Sequence, residues 1–203
     1  MNRAHLAKTE LLDDFVCSHV LYSKNTTQIV DKMNIIGIDP GTQSGAVVAW
    51  NTIERKIILH EIKANNDLLD WLRNQVYANH ISCETIMSYG QRVGAETFET
   101  CFFIGRVMEI CHQRKQVFTP ITRKDVIMIH CASNKASDAD VRAAMIAYVG
   151  QPGSKKAPGP TYGISSHEWS ALAIATFLQA QEETNQKLAD LRALREKPVL
   201  KDV

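Results

Sequence analysis

Two acidic residues of this chain sit where their type and setting suggest chemistry. Asp39 ends the apolar run Asn34-Ile35-Ile36-Gly37-Ile38. The chain then turns through Pro40 and Gly41 and resumes as a second apolar run, Gly45 to Trp50. This pattern predicts a β-hairpin with one carboxylate at the rim of a central strand. Such an Asp holds a metal ion or faces a nucleotide phosphate, or else it simply caps the turn. Glu84 lies inside Ile81-Ser82-Cys83-Glu84-Thr85-Ile86-Met87. An uncompensated carboxylate is costly to bury there, and Glu is a poor strand former. A metal ion shared with Asp39 on a neighbouring strand would account for it. An edge strand with Glu84 turned to water would need no ion.

The elements that must position these residues follow from periodicity. Strands are expected at 34–39, 45–50 and 55–62. A helix follows at 66–79 with Leu68, Leu69, Trp71, Leu72 and Val76 on one face. A short strand at 81–86 carries Glu84. The longest helix is expected over 95–114, with Phe98, Cys101, Phe102, Gly105 and Met108 on its buried side. A strand at 117–121, a helix at 122–131 and a helix opened by Ser137-Asp138-Ala139-Asp140 complete the middle of the chain, with Ser137 or Asp138 as N-cap. Residues 151–163 hold three Pro, three Gly and the Lys155-Lys156 pair, which predicts a loop. The last core helix starts at Ser165 or Ser166. Together these describe an α/β domain, a mixed sheet covered by helices. Residues 1–32 read as an N-terminal extension, with Met33 as an alternative start, and 186–203 as a charged, peripheral C-terminal tail.

The whole-chain properties narrow the classes. The 203 residues suit one domain with appendages. Hydrophobic content of 45% and charged content of 22% are ordinary for a globular protein. A net charge of +1 advertises no nucleic-acid partner, so any such contact must be local. The five cysteines, Cys17, Cys83, Cys101, Cys111 and Cys131, are odd in number and set among apolar or helical residues, as buried thiols of a reducing compartment are. Cys111-His112 and His130-Cys131 are adjacent pairs pointing about 100° apart on a helix, which makes poor chelates for zinc. No apolar run approaches the ~18 residues of a membrane span, and Asp13 and Asp14 interrupt the N-terminal apolar stretch, against a signal peptide.

Taken together, Ile36-Gly37-Ile38-Asp39-Pro40-Gly41, Cys83-Glu84 and Ser165-Ser166-His167-Glu168-Trp169-Ser170-Ala171-Leu172-Ala173 resemble the RuvC-type Holliday-junction resolvases of the RNase H-like superfamily. The likeness is to their phage-encoded branch. The blocks Ser88 to Cys101, Ile104-Gly105-Arg106, Thr122 to Val126 and Lys135 to Ala139 are similar to it as well. The resemblance spans residues 34–178 and implies an RNase H-like nuclease domain over 33–185. It implies a Mg²⁺-dependent endonuclease that resolves four-way or other branched DNA by paired phosphodiester hydrolysis in a bacterial or phage-infected cytoplasm. In such enzymes carboxylates from the first strand, a later strand and the last helix hold two divalent ions about 3.5–4 Å apart, with Mn²⁺ as a substitute for Mg²⁺.

By this resemblance Asp39 bridges the ions and Glu84 holds one of them. The chain departs from the family at the last helix, where the expected acids are replaced by His167 and, one turn on, Ser170. His167 is the first candidate for the remaining catalytic and metal-ligating position, Glu168 the second and Asp138 the third. Tyr89, Arg92, Arg106, Arg123 and Lys124 are the candidate DNA contacts, positioning phosphates without reading sequence; Lys155 and Lys156 could add to them. A four-way junction has two-fold symmetry, so one active site per chain implies a homodimer. Phe103 and Val107, off the expected buried stripe of the long helix, are the candidate contact. Two other readings compete. Sugar kinases and actin-like ATPases share the Gly-Ile-Asp-x-Gly-Thr loop but need two lobes. A junction-binding protein that has lost catalysis would explain Ser170, but not the retention of Asp39 and Glu84.

Overall fold

A computed structural model describes residues 34–75, 78, 80–87, 90 and 92–195. The expected extension 1–32, Met33, Cys17 and Tyr89 lie outside the described residues. Five strands form one mixed sheet, in the spatial order β3 (Lys56–Ala64), β2 (Ser44–Asn51), β1 (Asn34–Asp39), β4 (His80–Thr85) and β5 (Val117–Thr122). Strands β1, β2 and β3 form an antiparallel meander. Strands β4 and β5 run parallel to β1 on its other side. The helices are α1 (Asn65–Asn74), α2 (Ala95–Gln113), α3 (Arg123–Cys131), α4 (Asp138–Val149) and α5 (Glu168–Arg195).

The sheet is covered on both faces, which is why β1 and β2 read as near-continuous apolar runs. Ile36, Ile38, Val47, Ala49, Ile81 and Cys83 meet Leu68, Leu69 and Leu72 of α1 and Phe103, Ile104, Val107 and Ile110 of α2. Side chains alternate along a strand, so Gly37, Asp39, Ser82 and Glu84 face the opposite way, toward α5. Gly37 permits that packing. A Cβ there would lie 2.8 Å from the Ala175 Cα and collide with the Ala171 carbonyl oxygen, so only glycine lets α5 sit against the middle of β1. From Ala171 to Leu178 α5 is buried on every side, with the sheet on one flank and α3 and α4 on the other. A helix apolar all round belongs in such a position.

Several expectations need correction. Helix α1 ends at Asn74 rather than 79. The long helix α2 presents the other face: Phe103, Ile104, Val107 and Ile110 are buried, whereas Phe98, Cys101, Phe102, Gly105 and Met108 are exposed. Residues 151–163 contain a small hairpin, β6 (Gly153–Ser154) and β7 (Ala157–Pro158). The charged stretch after Gln186 continues α5 to Arg195, with residues 184–193 exposed.

Candidate active site

The parallel pairing of β1 with β4 brings the two carboxylates together. Ile38 pairs with Cys83, and Asp39 and Glu84 are the next residues on two adjacent strands, at their carboxyl ends and on the α5 face. Ligand sites of open α/β sheets form outside such strand ends. Burial raises the Asp39 pKa, and the neighbouring His167 and Arg123 partly offset this. Burial, reinforced by the charge of Asp39, pushes Glu84 up to about 7, with Arg123 opposing and Asp138 adding to the rise. Two desolvated carboxylates on adjacent strands form a site short of positive charge.

His167 reaches into this site. Its Nδ1 lies 3.0 Å from Asp39 Oδ2. The imidazole is otherwise open, 74% exposed against 14% for the Asp39 side chain, and Nε2 has no protein partner among the described residues. The backbone that delivers His167 is constrained. Ser166 adopts a left-handed conformation at φ 39, which costs a non-glycine residue about 1 kcal/mol or more. Glu168 holds this turn from below. One of its oxygens accepts the backbone N–H of Ser165 at 2.8 Å and the Ser165 hydroxyl at 2.9 Å, and the other meets His60 Nδ1 of β3 at 2.8 Å. Burial pushes Glu168 up, but the bonds from His60 and Ser165 outweigh it and hold the carboxyl below its usual range. Glu168 is therefore buried and fully engaged. It does not join Asp39 and Glu84, and the second-choice ligand becomes a brace for the first.

The third candidate, Asp138, is also engaged. It begins α4 and pairs with Arg123, which begins α3. Ser137, not Asp138, is the N-cap, in a reciprocal capping box with Asp140; Thr122 and Asp125 form the same device on α3. The Arg123–Asp138 pair clamps two helix starts beside the carboxylates, and both charges act on Asp39 and Glu84.

A cleft of 350 Å³ lies over Asp39, bounded by the Pro40–Ala46 turn, Ile62 and His167. Asn65 ties that turn down through bonds to the carbonyls of Gly41 and Thr42, both at 3.0 Å. Next to it, Arg106 of α2 reaches Asn66 Oδ1 at 3.3 Å, so one candidate DNA contact stands at the rim of this end of the sheet. Lys124 and Arg92 are exposed, the latter just before α2. Arg123 is committed to Asp138. Cys83 and Cys111 are buried, Cys131 partly so, and Cys101 is exposed; all are free thiols.

The donor set fits a hard divalent cation: two carboxylates on adjacent strand ends, their charge only partly offset by Arg123. Among the described residues no three His, Cys, Asp or Glu side chains are already gathered for an ion. The sequence reading overlooked His60 and the Arg123–Asp138 clamp. The Ser165-x-x-Glu168 spacing, a capping-box pattern, was the available signal for Glu168.

No protein-family model matches the sequence, and no curated protein matches it. Solved structures do. The RuvC structure of Thermus thermophilus superposes with a TM-score of 0.53 at 16% identity, covering 76% of this chain and 97% of that one. The chain has the fold of the RuvC-type resolvases. T. thermophilus RuvC in complex with Holliday junction substrate gives a TM-score of 0.55 at 17% identity, over 73% of this chain and 96% of that one. The yeast mitochondrial Holliday junction resolvase Ydc2 gives 0.52 at 13% identity, over 83% and 92%. The five-stranded mixed sheet flanked by helices is the architecture this chain shares with them. No helix among the described residues is long and apolar enough to cross a membrane.

Proposed function

We propose that this chain is a metal-dependent endonuclease that resolves four-way or other branched DNA junctions. The observation that carries this reading is the pair Asp39 and Glu84 at the ends of adjacent strands β1 and β4, both desolvated, with His167 against Asp39. A purely structural site would not retain two such carboxylates, since uncompensated buried charge destabilises a fold. The fold shared with RuvC and Ydc2 supports the same reading.

In this proposal Asp39 and Glu84 hold two Mg²⁺ ions, with His167 beside them. The ions would supply Lewis acidity at the phosphodiester and a lowered pKa for the attacking water. The protein's own groups do the rest. His167 can hold a proton at Nδ1 against Asp39 Oδ2 while Nε2 faces the cleft. Arg123 limits repulsion between the carboxylates and an incoming phosphate, and Glu168 with His60 fixes the turn that aims His167. Arg106, Lys124 and Arg92 would hold DNA phosphates at the rim.

Paired cleavage of a two-fold junction calls for two chains. The surface that serves a dimer best is the exposed stripe of α2, Phe98, Phe102 and Met108, with Phe102 65% exposed. Phe103 and Val107, expected at that contact, are in the core instead. Incubation with an end-labelled four-way junction and a matched linear duplex, with and without Mg²⁺, tests the function. Mg²⁺-dependent, symmetric nicks in the junction alone are expected. Junction binding with no cleavage in Mg²⁺ or Mn²⁺ would instead favour a binding protein, the reading that Ser170 leaves open.

A further inference from the structure

A second cleft opens on the other side of His167, between α4 and α5. It measures 670 Å³, within the range of about 300–1,000 Å³ of small-molecule sites. Its walls include Asp138, Arg142, Ser165, Ser170 and Trp169, and it shares His167 with the cleft over Asp39.

Two arginines of this chain lie over aromatic rings, Arg55 over Tyr148 and Arg142 over Trp169, and only Arg142 does so without a carboxylate partner among the described residues. The Arg142 guanidinium lies over the Trp169 ring, 5.4 Å from its centroid. Trp169 is itself nearly buried, 7% exposed, so the indole is a fixed floor under a planar cation. Arg55, Arg73 and Arg123 are each held by a carboxylate; Arg142 makes no ion pair among the described residues and stands exposed. A guanidinium stacked on a ring keeps its outer face and its N–H edge available. The outer face suits another π-system, and the edge suits a phosphate. The Ser170 hydroxyl can bond the edge of a base, and Ser165 Oγ, which donates to Glu168, can only accept. A planar, hydrogen-bonding, negatively tethered ligand meets all three, and a nucleotide is that ligand.

Resting on the junction-nuclease reading, we propose that the α4–α5 cleft is a nucleotide subsite. It takes an unstacked base of the cut strand on the outer face of Arg142, next to the scissile phosphate at the Asp39–Glu84 centre, and so biases where the cut falls.

The test uses a four-way junction carrying 2-aminopurine at single positions flanking the cut, bound in Ca²⁺ to the Asp39→Asn protein. Fluorescence should change on binding at one flanking position. Adding Arg142→Ala should abolish that change while junction affinity stays within a few-fold. In the active protein Arg142→Ala should reduce the preference among cut positions by about 5- to 100-fold, the scale of base stacking on a protein surface. Arg142→Lys should behave like Ala, because an ammonium keeps the charge but offers no plane. An unchanged signal in Arg142→Ala, full rescue by Lys, or total loss of binding in Arg142→Ala would overturn the subsite. No change at any position with the parent bound would overturn the subsite alone. A parent that does not bind the junction would overturn the nuclease reading and the subsite with it.

Discussion

Replacing Glu84 by Gln tests the electrostatics of the site without DNA. The folded protein keeps a proton on Glu84 up to about pH 7, because burial and Asp39 disfavour its charge, whereas the ordinary value is 4.5. Between those values the folded state binds more protons than the unfolded chain, so stability falls as pH rises through the interval, and the full cost is present above pH 7. At 1.36 kcal/mol per pH unit the cost is about 3 kcal/mol. Glutamine has nearly the same shape and nothing to ionise. Metal-free Glu84→Gln should therefore match wild type near pH 4.5 and exceed it at pH 8 by about 3 kcal/mol, or about 6–12 °C in Tm for a domain of this size. Thermal unfolding followed by circular dichroism in EDTA at both pH values measures this. Mg²⁺ at pH 8 should then stabilise wild type and leave the variant unchanged, because the cation binds the ionised form. The reasoning fails if Glu84→Gln is less stable than wild type at pH 8, or if the two respond identically to pH.

Gly37→Ala should destabilise by about 2 kcal/mol or more, because the added methyl meets the Ala171 carbonyl and must push α5 off β1; denaturant unfolding checks it. Phe102→Asp should turn a dimer into monomers by sedimentation at micromolar concentration, with junction binding kept and paired nicking lost. Glu168→Ala removes the acceptor of Ser165 and His60 and should cost about 1–3 kcal/mol of stability; it should lower kcat with little change in junction affinity. His167→Ala should reduce single-turnover cleavage by at least ~10²-fold while the protein remains folded, and a harmless substitution there would remove His167 from the site.

Much of the candidate site could be read from the sequence because its signals are local. Asp39 before Pro40-Gly41 and Glu84 amid apolar residues each violate the strand pattern around them, and the register of β1 on β4, which pairs Ile38 with Cys83, makes them the next residues on adjacent strands. His167 could be located through the motif at the head of α5. What stayed hidden depends on tertiary choice. Helix α2 carries apolar residues on two faces, and the sheet selects between them. The continuous set Thr100, Phe103, Ile104, Val107, Ile110 and Cys111 wins, whereas the other stripe is interrupted by Gly105. Glu168 was ambiguous for a similar reason. Its neighbours in sequence suggest a ligand, but its partner His60 lies on β3, 108 positions away, and no local pattern announces that bond. The pairing of Arg123 with Asp138, at the start of another helix, had no local signal either.

The central claim is that Asp39 anchors a nuclease centre for branched DNA. Its most direct test is Asp39→Asn, which removes charge with little change in volume, assayed on one labelled four-way junction for both binding and cleavage in Mg²⁺. The account predicts affinity close to wild type and no nicks in either strand. Cleavage by Asp39→Asn at the wild-type rate would contradict it.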